Sequence, residues 1–473
     1  MKRTNFFKKF VTKSKILRRN NPVSPNLFNY NDIIRGDLMN LLFLILLSLC
    51  SNCWLAVKQF PLLLLIILPS FLTVNFLAGI TVKTAPTKSM KLCAHGVSCL
   101  KLFSFSMIIS VLYHIGLVFN LQGKTYIDFI ISTVICIIVL AIIFWNGIIS
   151  VYCTSRQLGI KHRIIGIICG PIPIANLVVL AKIIKITSKE IKTEYQKELV
   201  NQKRKDLKIC KTKYPILLVH GVFFRDSDFF NYWGRIPKEL ERNGATIHYG
   251  EHESAASIKN SAKELCNRII EIIQSTNCEK VNIIAHSKGG LDCRYAIEHL
   301  GIAPLVASLT TVNTPHRGCL FADFLLEKSP ENLKNKIADT YNSTLRKMGD
   351  KNPDFLSAVN DLTASACKKF LDYPQKIEGI YCQSIGSEMK KASNGKFPLN
   401  FSYHLVKYFN GKNDGLVAED SFKWGEKYTY LTPTGNRGIS HGDMIDLNRE
   451  NIDGFDVREF YVKLVSELKT KGL

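Results

Sequence analysis

Ser287, Asp414 and His441 are residue types that together perform nucleophilic acyl transfer, with the serine attacking, the histidine moving the proton and the carboxylate orienting the imidazole. The serine sits in Val281-Asn282-Ile283-Ile284-Ala285-His286-Ser287-Lys288-Gly289-Gly290, an apolar run that reads as a buried strand passing directly into a helix. A serine on so tight a strand-to-helix turn has a strained backbone, and its neighbours two before and two after must be small. Ala285 and Gly289 meet that demand, with alanine where the usual pattern has glycine. The turn lifts the Ser287 hydroxyl out of the sheet and points the following helix N-terminus at it. Asn413-Asp414-Gly415-Leu416-Val417 supplies an acid in a turn, and Ser440-His441-Gly442-Asp443 a histidine on a loop before the last helix.

Acyl transfer builds negative charge on a carbonyl oxygen, which calls for two fixed backbone N–H donors. Val222, after His220-Gly221, and Lys288, after the serine, are the candidates for this oxyanion hole. Gly221 lets the chain pass close to a substrate. His220 reads as a brace for that loop rather than as a base. The competing histidines His248, His252, His286, His299, His316 and His404 precede the acid or lie in strand, helix or elbow contexts, which leaves His441.

The elements that must position these residues begin near Tyr214. Residues 215–219, 245–249, 280–285 and 305–312 read as short apolar strands. Between them, 257–275 places Ile258, Ala262, Leu265, Ile269 and Ile273 at helical spacing, and 289–300 and 456–469 read as further helices. Strands alternating with helices imply a mostly parallel sheet with helices on both faces, assigned here to a domain over 210–473.

Residues from about Tyr214 to Leu464 resemble the bacterial triacylglycerol lipases of the α/β-hydrolase fold. The resemblance rests on YPILLVHG at 214–221, AHSKGG at 285–290, TVNTPHRG at 311–318, NDGLV at 413–417 and the loop at 441–443, with a weaker match at 361–374. The chain order serine, acid, histidine is also that of this fold and of neither well-known serine-protease group. The resemblance implies Ser287 as nucleophile, His441 as base and then acid, Asp414 as orienting group and Val222 and Lys288 as oxyanion donors. It gives His316 and Arg317 a structural role. It puts a mobile lid, or equally an ordinary helical insertion, over 316–361. Those lipases often hold a structural calcium through two aspartates. Asp443 fits one place, but between Ser387 and Phe409 the only carboxylate is Glu388, so no metal and no cofactor is expected.

The first two hundred residues are of another kind. The chain carries a formal net charge of +23. Lysine and arginine outnumber aspartate and glutamate 27 to 7 in residues 1–209, but only 35 to 32 in 210–473. The excess lies beside the most apolar runs, where it reads as membrane-flanking charge and argues against nucleic acid. After a basic tail at 1–36, four runs at 38–57, 60–82, 102–121 and 127–152 each reach the roughly 20 residues that cross a bilayer core. These define an all-α transmembrane region over 37–153. Lys83, Lys88, Lys91 and Lys101 in the second connection place it, like the tail, in the cytoplasm. A fifth run, 164–184, is broken by Gly170-Pro171 and Pro173, and reads as in-plane or re-entrant in preference to a fifth span. With the charged stretch 187–208 it forms a connecting region over 154–209, and leaves the hydrolase domain on the cytoplasmic face of a bacterial plasma membrane. His114 and Asn176 have no carboxylate companion in this region, so an anchor is favoured over a transporter. Fourteen cysteines at scattered spacings match no disulfide ladder or zinc pattern and read as reduced thiols.

These readings converge on a membrane-anchored serine hydrolase for carboxylic esters of apolar acyl groups. A phospholipase, thioesterase or acyltransferase with the same triad remains open, as does a catalytically silent binding module.

Overall fold

A computed structural model describes residues 30–79, 87–119, 126–222, 231–347, 349–371, 377–432 and 435–473. The basic tail up to residue 29, Lys83 and the end of the 361–374 segment lie outside them. The chain divides into two units, Met1–Tyr195 and Gln196–Leu473.

In the first unit the apolar runs become helices of unequal length. They are α1 (Tyr30–Ser51), α2 (Trp54–Gln59), α3 (Leu64–Leu77), α4 (Lys88–Phe119) and α5 (Tyr126–Thr154). Two, α4 with 32 residues and α5 with 29, are long and apolar enough to cross a membrane. The first two runs, expected to span like the others, are carried by shorter helices among the described residues. The run at 38–57 breaks after Ser51, where Asn52 Nδ2 donates to the carbonyl of Ser48 and to Ser110 Oγ, taking up a carbonyl that further helix would use. The run at 60–82 starts with a 3-10 turn at Pro61–Leu63 and continues as a helix to Leu77, with 80–82 outside the described residues. Shorter apolar stretches, Leu38–Ser51 and Pro61–Leu77, remain. The fifth run is a helix, a break and a helix: α6 (Gly159–Cys169) and α7 (Ala175–Arg204), with Ile174 at φ +67°. His114 is satisfied by the Ser110 carbonyl at 2.8 Å and Ser132 Oγ at 3.3 Å.

The second unit is built on one sheet, β2-β1-β3-β4-β5-β6, in which every neighbouring pair is parallel. Its strands are β1 (Ile216–Val219), β2 (Ile247–Tyr249), β3 (Val281–His286), β4 (Val306–Val312), β5 (Tyr381–Ser387) and β6 (Lys427–Leu431). Alternate residues of a strand point to opposite faces. Ile216, Leu218 and Ile284 pack on one side with Trp233, Ile236 and Leu240 and with Tyr461, Val462 and Val465. These belong to α8 (Ile236–Arg242), with Trp233 just before it, and α17 (Val457–Thr470). Leu217, Val219 and Ile283 pack on the other side with Ala262, Leu265 and Ile269 of α9 (Ile258–Thr276) and with Cys293 and Ala296 of α10 (Lys288–His299). Both faces are covered, as the periodicity requires, and observed ends fall within two residues of those expected. Ser257 caps α9 by accepting from Asn260 N, and Asp456 caps α17 by accepting from Arg458 N and Glu459 N.

After β4 come α11 (Leu320–Lys328), α12 (Glu331–Lys347), α13 (Phe355–Asp361) and α14 (Ala364–Leu371); the first three occupy the expected lid or insertion. The aromatic stretch before the acid turn is α15 (Leu399–Asn410), and α16 (Glu419–Phe422) follows that turn. All fourteen cysteines are free.

Candidate active site

The turn between β3 and α10 has the strain its sequence demands. Ser287 takes φ +55° and ψ −130°, and its N–H donates to Val312 O of β4 at 2.9 Å. A side chain at Gly289 would run into the His220 carbonyl oxygen. A Cβ on Gly221 would lie 2.7 Å from Ser287 Cβ, so the loop after β1 passes against the serine with no room to spare. Ser287 is 7 % exposed, and its hydroxyl makes no hydrogen bond among the described residues.

Asp414 and His441 are brought together. His441 Nδ1 lies 2.6 Å from Asp414 Oδ2, and His441 N donates to Asp414 O at 2.8 Å. The fully buried Asp414 carboxylate accepts three more bonds: from Leu416 N at 2.9 Å, Val417 N at 2.7 Å and Asn313 Nδ2 at 2.6 Å. These are charge-assisted bonds that fix the carboxylate in one orientation. Asn313, at φ +49° at the end of β4, also donates to Ser387 Oγ. It lies in the 311–318 motif, yet its type alone did not mark it as a partner of the acid.

The elbow meets His441 through His286, whose ring centroid lies 4.5 Å from that of His441. Gly221 N donates to the Tyr232 hydroxyl at 3.0 Å, and that hydroxyl lies 2.7 Å from His286 Nδ1. For the hydroxyl to accept from Gly221 and donate onward, His286 Nδ1 must be unprotonated. Burial, then the neighbouring His441, holds the His286 pKa well below its usual range, in keeping with a neutral ring. The Gly221 N–H is therefore spent on Tyr232, while the Val222 N–H has no hydrogen-bond partner among the described residues. Tyr232 and His286 carried no sequence signal of this pairing, being 54 residues apart.

His220 braces the loop. Its Nε2 contacts the His252 carbonyl at 3.1 Å, and the two rings stack at 3.9 Å and 8°. Lys288 brings to the elbow a side chain that its candidate role did not require. Its ammonium is buried 2.7 Å from Asp292 Oδ1 and 3.0 Å from Ser261 Oγ. Burial pushes the Asp292 carboxyl up to about 7, against the pull of Lys288. His316 is a structural residue, held between Thr311 Oγ1 at 2.9 Å and Arg294 at 3.2 Å. Asp443 is engaged by Ser440 N at 2.8 Å and Arg437 at 3.1 Å. No cluster of metal-ligating side chains occurs among the described residues.

A parallel sheet with helices on both faces, a strained serine between β3 and α10, an acid after β5 and a histidine after β6 define an α/β hydrolase. Residues 216–349 match the family described as "Putative serine esterase (DUF676)". Over 167 residues, 33 % of this chain, the sequence is 32 % identical to a triacylglycerol lipase of Pseudarthrobacter phenanthrenivorans, covering 51 % of that relative. It is 32 % identical to one of Burkholderia plantarii over the same length, covering 46 % of it. The chain thus spans about half the length of these curated relatives. A lipase of Bacillus licheniformis superposes with a TM-score of 0.41 and 23 % identity, over 54 % of this chain and 92 % of that one. By sequence the chain is similar to lipases over about a third of its length.

Proposed function

We propose that this chain is a membrane-anchored serine hydrolase that cleaves carboxylic esters of apolar acyl groups through an acyl-enzyme on Ser287. The observation that carries it is the Asp414–His441 pair, 2.6 Å apart and buried, with the His441 ring 4.5 Å from that of His286, the residue before the strained Ser287. Ser287 Oγ attacks the ester carbonyl and His441 Nε2 takes the hydroxyl proton, while Asp414 stabilises the imidazolium. The Val222 and Lys288 N–H groups receive the oxyanion. His441 then returns the proton to the leaving alcohol, and the acyl group stays on Ser287. Water, deprotonated by the same imidazole, releases the acid and regenerates the serine.

Apolar substrates are favoured by the relation to triacylglycerol lipases and by α15, whose outward face carries Phe401 at 78 % and Tyr408 at 84 % exposure, with Phe397 at 85 % just before it. Anchoring is favoured by α4 and α5, whose outward side chains are apolar, among them Leu112, Ile137 and Trp145. The anchor comprises the helices of 37–153, the tail and the connecting region stay cytoplasmic, and the hydrolase domain of 210–473 lies on that face. A fluorophosphonate probe labels the full chain at Ser287 and fails to label Ser287→Ala. Labelling that persists in the variant refutes the nucleophile, and a wild type that resists the probe and cleaves none of a graded series of acyl esters refutes the enzyme. Protease that removes the second unit from outside intact cells overturns the orientation.

A further inference from the structure

The first unit holds a cavity of about 440 Å³ between α4, α5, α6 and α7. Phe103, Met107, Ile137, Phe144, Leu177 and Ile183 are among the side chains that line it. Only Tyr152 and Asn176 bring polar side-chain atoms to the wall; the Tyr152 hydroxyl donates to Arg163 O and Asn176 Nδ2 donates one bond to Gly170 O, each at 3.3 Å. A buried water needs two to four polar partners, and an apolar cavity of about 150 Å³ already stays dry and takes up benzene. A space about three times that size, with such walls, suits hydrocarbon better than water.

Shape and charge specify the hydrocarbon further. The cavity runs along α5 from Ile137 to Tyr152, fifteen residues that rise about 22 Å, more than the ~15 Å of one bilayer leaflet. It is a slot rather than a globular pocket, long enough for a whole acyl tail. Its Tyr152 end lies beside the basic part of the unit. Arg156 and Lys161 follow α5, and Lys182 and Lys185 flank Ile183 on α7; all four are exposed. None of them has a carboxylate partner among the described residues. Glu190, the one acid between residues 129 and 193, is buried and already accepts from Ser155 Oγ and Arg156 N.

We propose that this slot binds one acyl chain of an anionic amphiphile, a fatty acid or an acidic phospholipid, with the carboxylate or phosphate held among Arg156, Lys161, Lys182 and Lys185. The site is separate from the hydrolase chemistry and stands or falls without it. The test uses the full chain in detergent, stripped of lipid and titrated with cis-parinaric acid, whose fluorescence rises in a dry apolar site. Binding saturates at one probe per chain. Ala141→Trp, which fills the slot, weakens it at least tenfold. Leu177→Trp, at a half-exposed position on the open side, does the same should the first variant fold poorly. Lys182→Glu with Lys185→Glu weakens the acid by about fivefold per charge, and leaves the methyl ester of the probe unaffected. Competition by palmitate alone marks a fatty-acid site, and competition by phosphatidylglycerol alone a phospholipid site. Uptake without saturation, or equal affinity in both filled variants, overturns the slot. Equal loss of acid and ester on charge reversal overturns the anionic head.

Discussion

Lys288→Met is the most informative single change in the second unit, because it separates a charge from a backbone. Lys288 and Asp292, one helical turn apart and each 1 % exposed, form an ion pair at 2.7 Å under the elbow. Removing one member of a buried pair costs about 3–5 kcal/mol, since the other charge is left without a counter-ion. Replacing both by apolar residues costs far less and can stabilise. The second unit has 278 residues, and at roughly 2 cal/mol/K per residue its unfolding entropy is about 0.6 kcal/mol/K. The single variant therefore melts about 5–8 °C below wild type, while Lys288→Met with Asp292→Leu stays within about 2 °C.

The pH dependence follows from the carboxyl. Burial already lifts Asp292 to about 7, far above its unfolded value, so its folded form favours the proton. A raised acid contributes stability that is fully present below its unfolded pKa and lost as pH rises through the folded one. Taking away Lys288 removes the influence that pulls this pKa down and moves it further up. The deficit of Lys288→Met thus widens above pH 7, by up to about 1.4 kcal/mol per pH unit. Scanning calorimetry of the full chain in detergent at pH 6, 7 and 8 measures it. A penalty that does not change with pH, or a double variant as unstable as the single one, refutes the ion-pair account. Labelling of Ser287 persists in folded Lys288→Met, because the oxyanion donor proposed there is the main-chain N–H.

Asp414→Asn keeps the shape of the acid but turns an acceptor toward a donor, and kcat falls by about 10³–10⁴ with KM little changed; a loss under tenfold on a chromogenic ester would remove Asp414 from the mechanism. Tyr232→Phe frees the Gly221 N–H and leaves His286 Nδ1 without its donor, so kcat drops about tenfold while the melting temperature moves by a few degrees. An unchanged kcat would show that the oxyanion loop does not depend on that bridge. His316 is held neutral by burial, with Arg294 adding to the effect. A lowered histidine pKa makes stability fall as pH drops below about 6.5, where the unfolded chain takes the proton first. His316→Phe accordingly lessens the slope of stability against pH in that range by about 1.4 kcal/mol per unit, read from denaturant melts at pH 5 and 6.

Sequence and structure agree where a position has one physical solution. Ala285 and Gly289 flank the serine because the elbow admits nothing larger, and the His220 carbonyl against Gly289 shows the reason. β1, β3 and β4 are buried throughout because both faces of the sheet are covered, and they stand out as largely apolar runs despite Asn282 in β3 and Ser308, Thr310 and Thr311 in β4. β5 and β6 do not. β5 is buried yet carries Gln383, Ser384 and Ser387, whose polarity is absorbed by Thr310 Oγ1, Trp424 O and Ile439 O. Partners that far along the chain leave no periodic trace, and β6, Lys427–Leu431, lies at the sheet edge with half-buried side chains. The Lys288–Asp292 pair was hidden differently, since i,i+4 charges ordinarily mark a solvated helix face. Among the described residues only two of the four apolar runs are carried by helices long enough to cross a membrane; the run at 38–57 is interrupted at Asn52, where side-chain competition ends a helix that hydrophobicity alone would continue.

The geometry also indicates which movement the proposed chemistry still requires. Asp414 is held by four donors and His441 by that carboxylate and by its own N–H to Asp414 O, so this half of the site is fixed before any substrate arrives. The Ser287 main chain is equally fixed, by its bond to Val312 O and by Gly221 packed against its Cβ. What is left is χ1 of Ser287, which has three staggered wells separated by little energy for an unbonded hydroxyl. A rotation of that one bond is a far smaller adjustment than moving a loop. In the proposed mechanism the Ser287 hydroxyl must come within hydrogen-bond reach of His441 Nε2, and rotation about χ1 is the side-chain freedom it has for doing so.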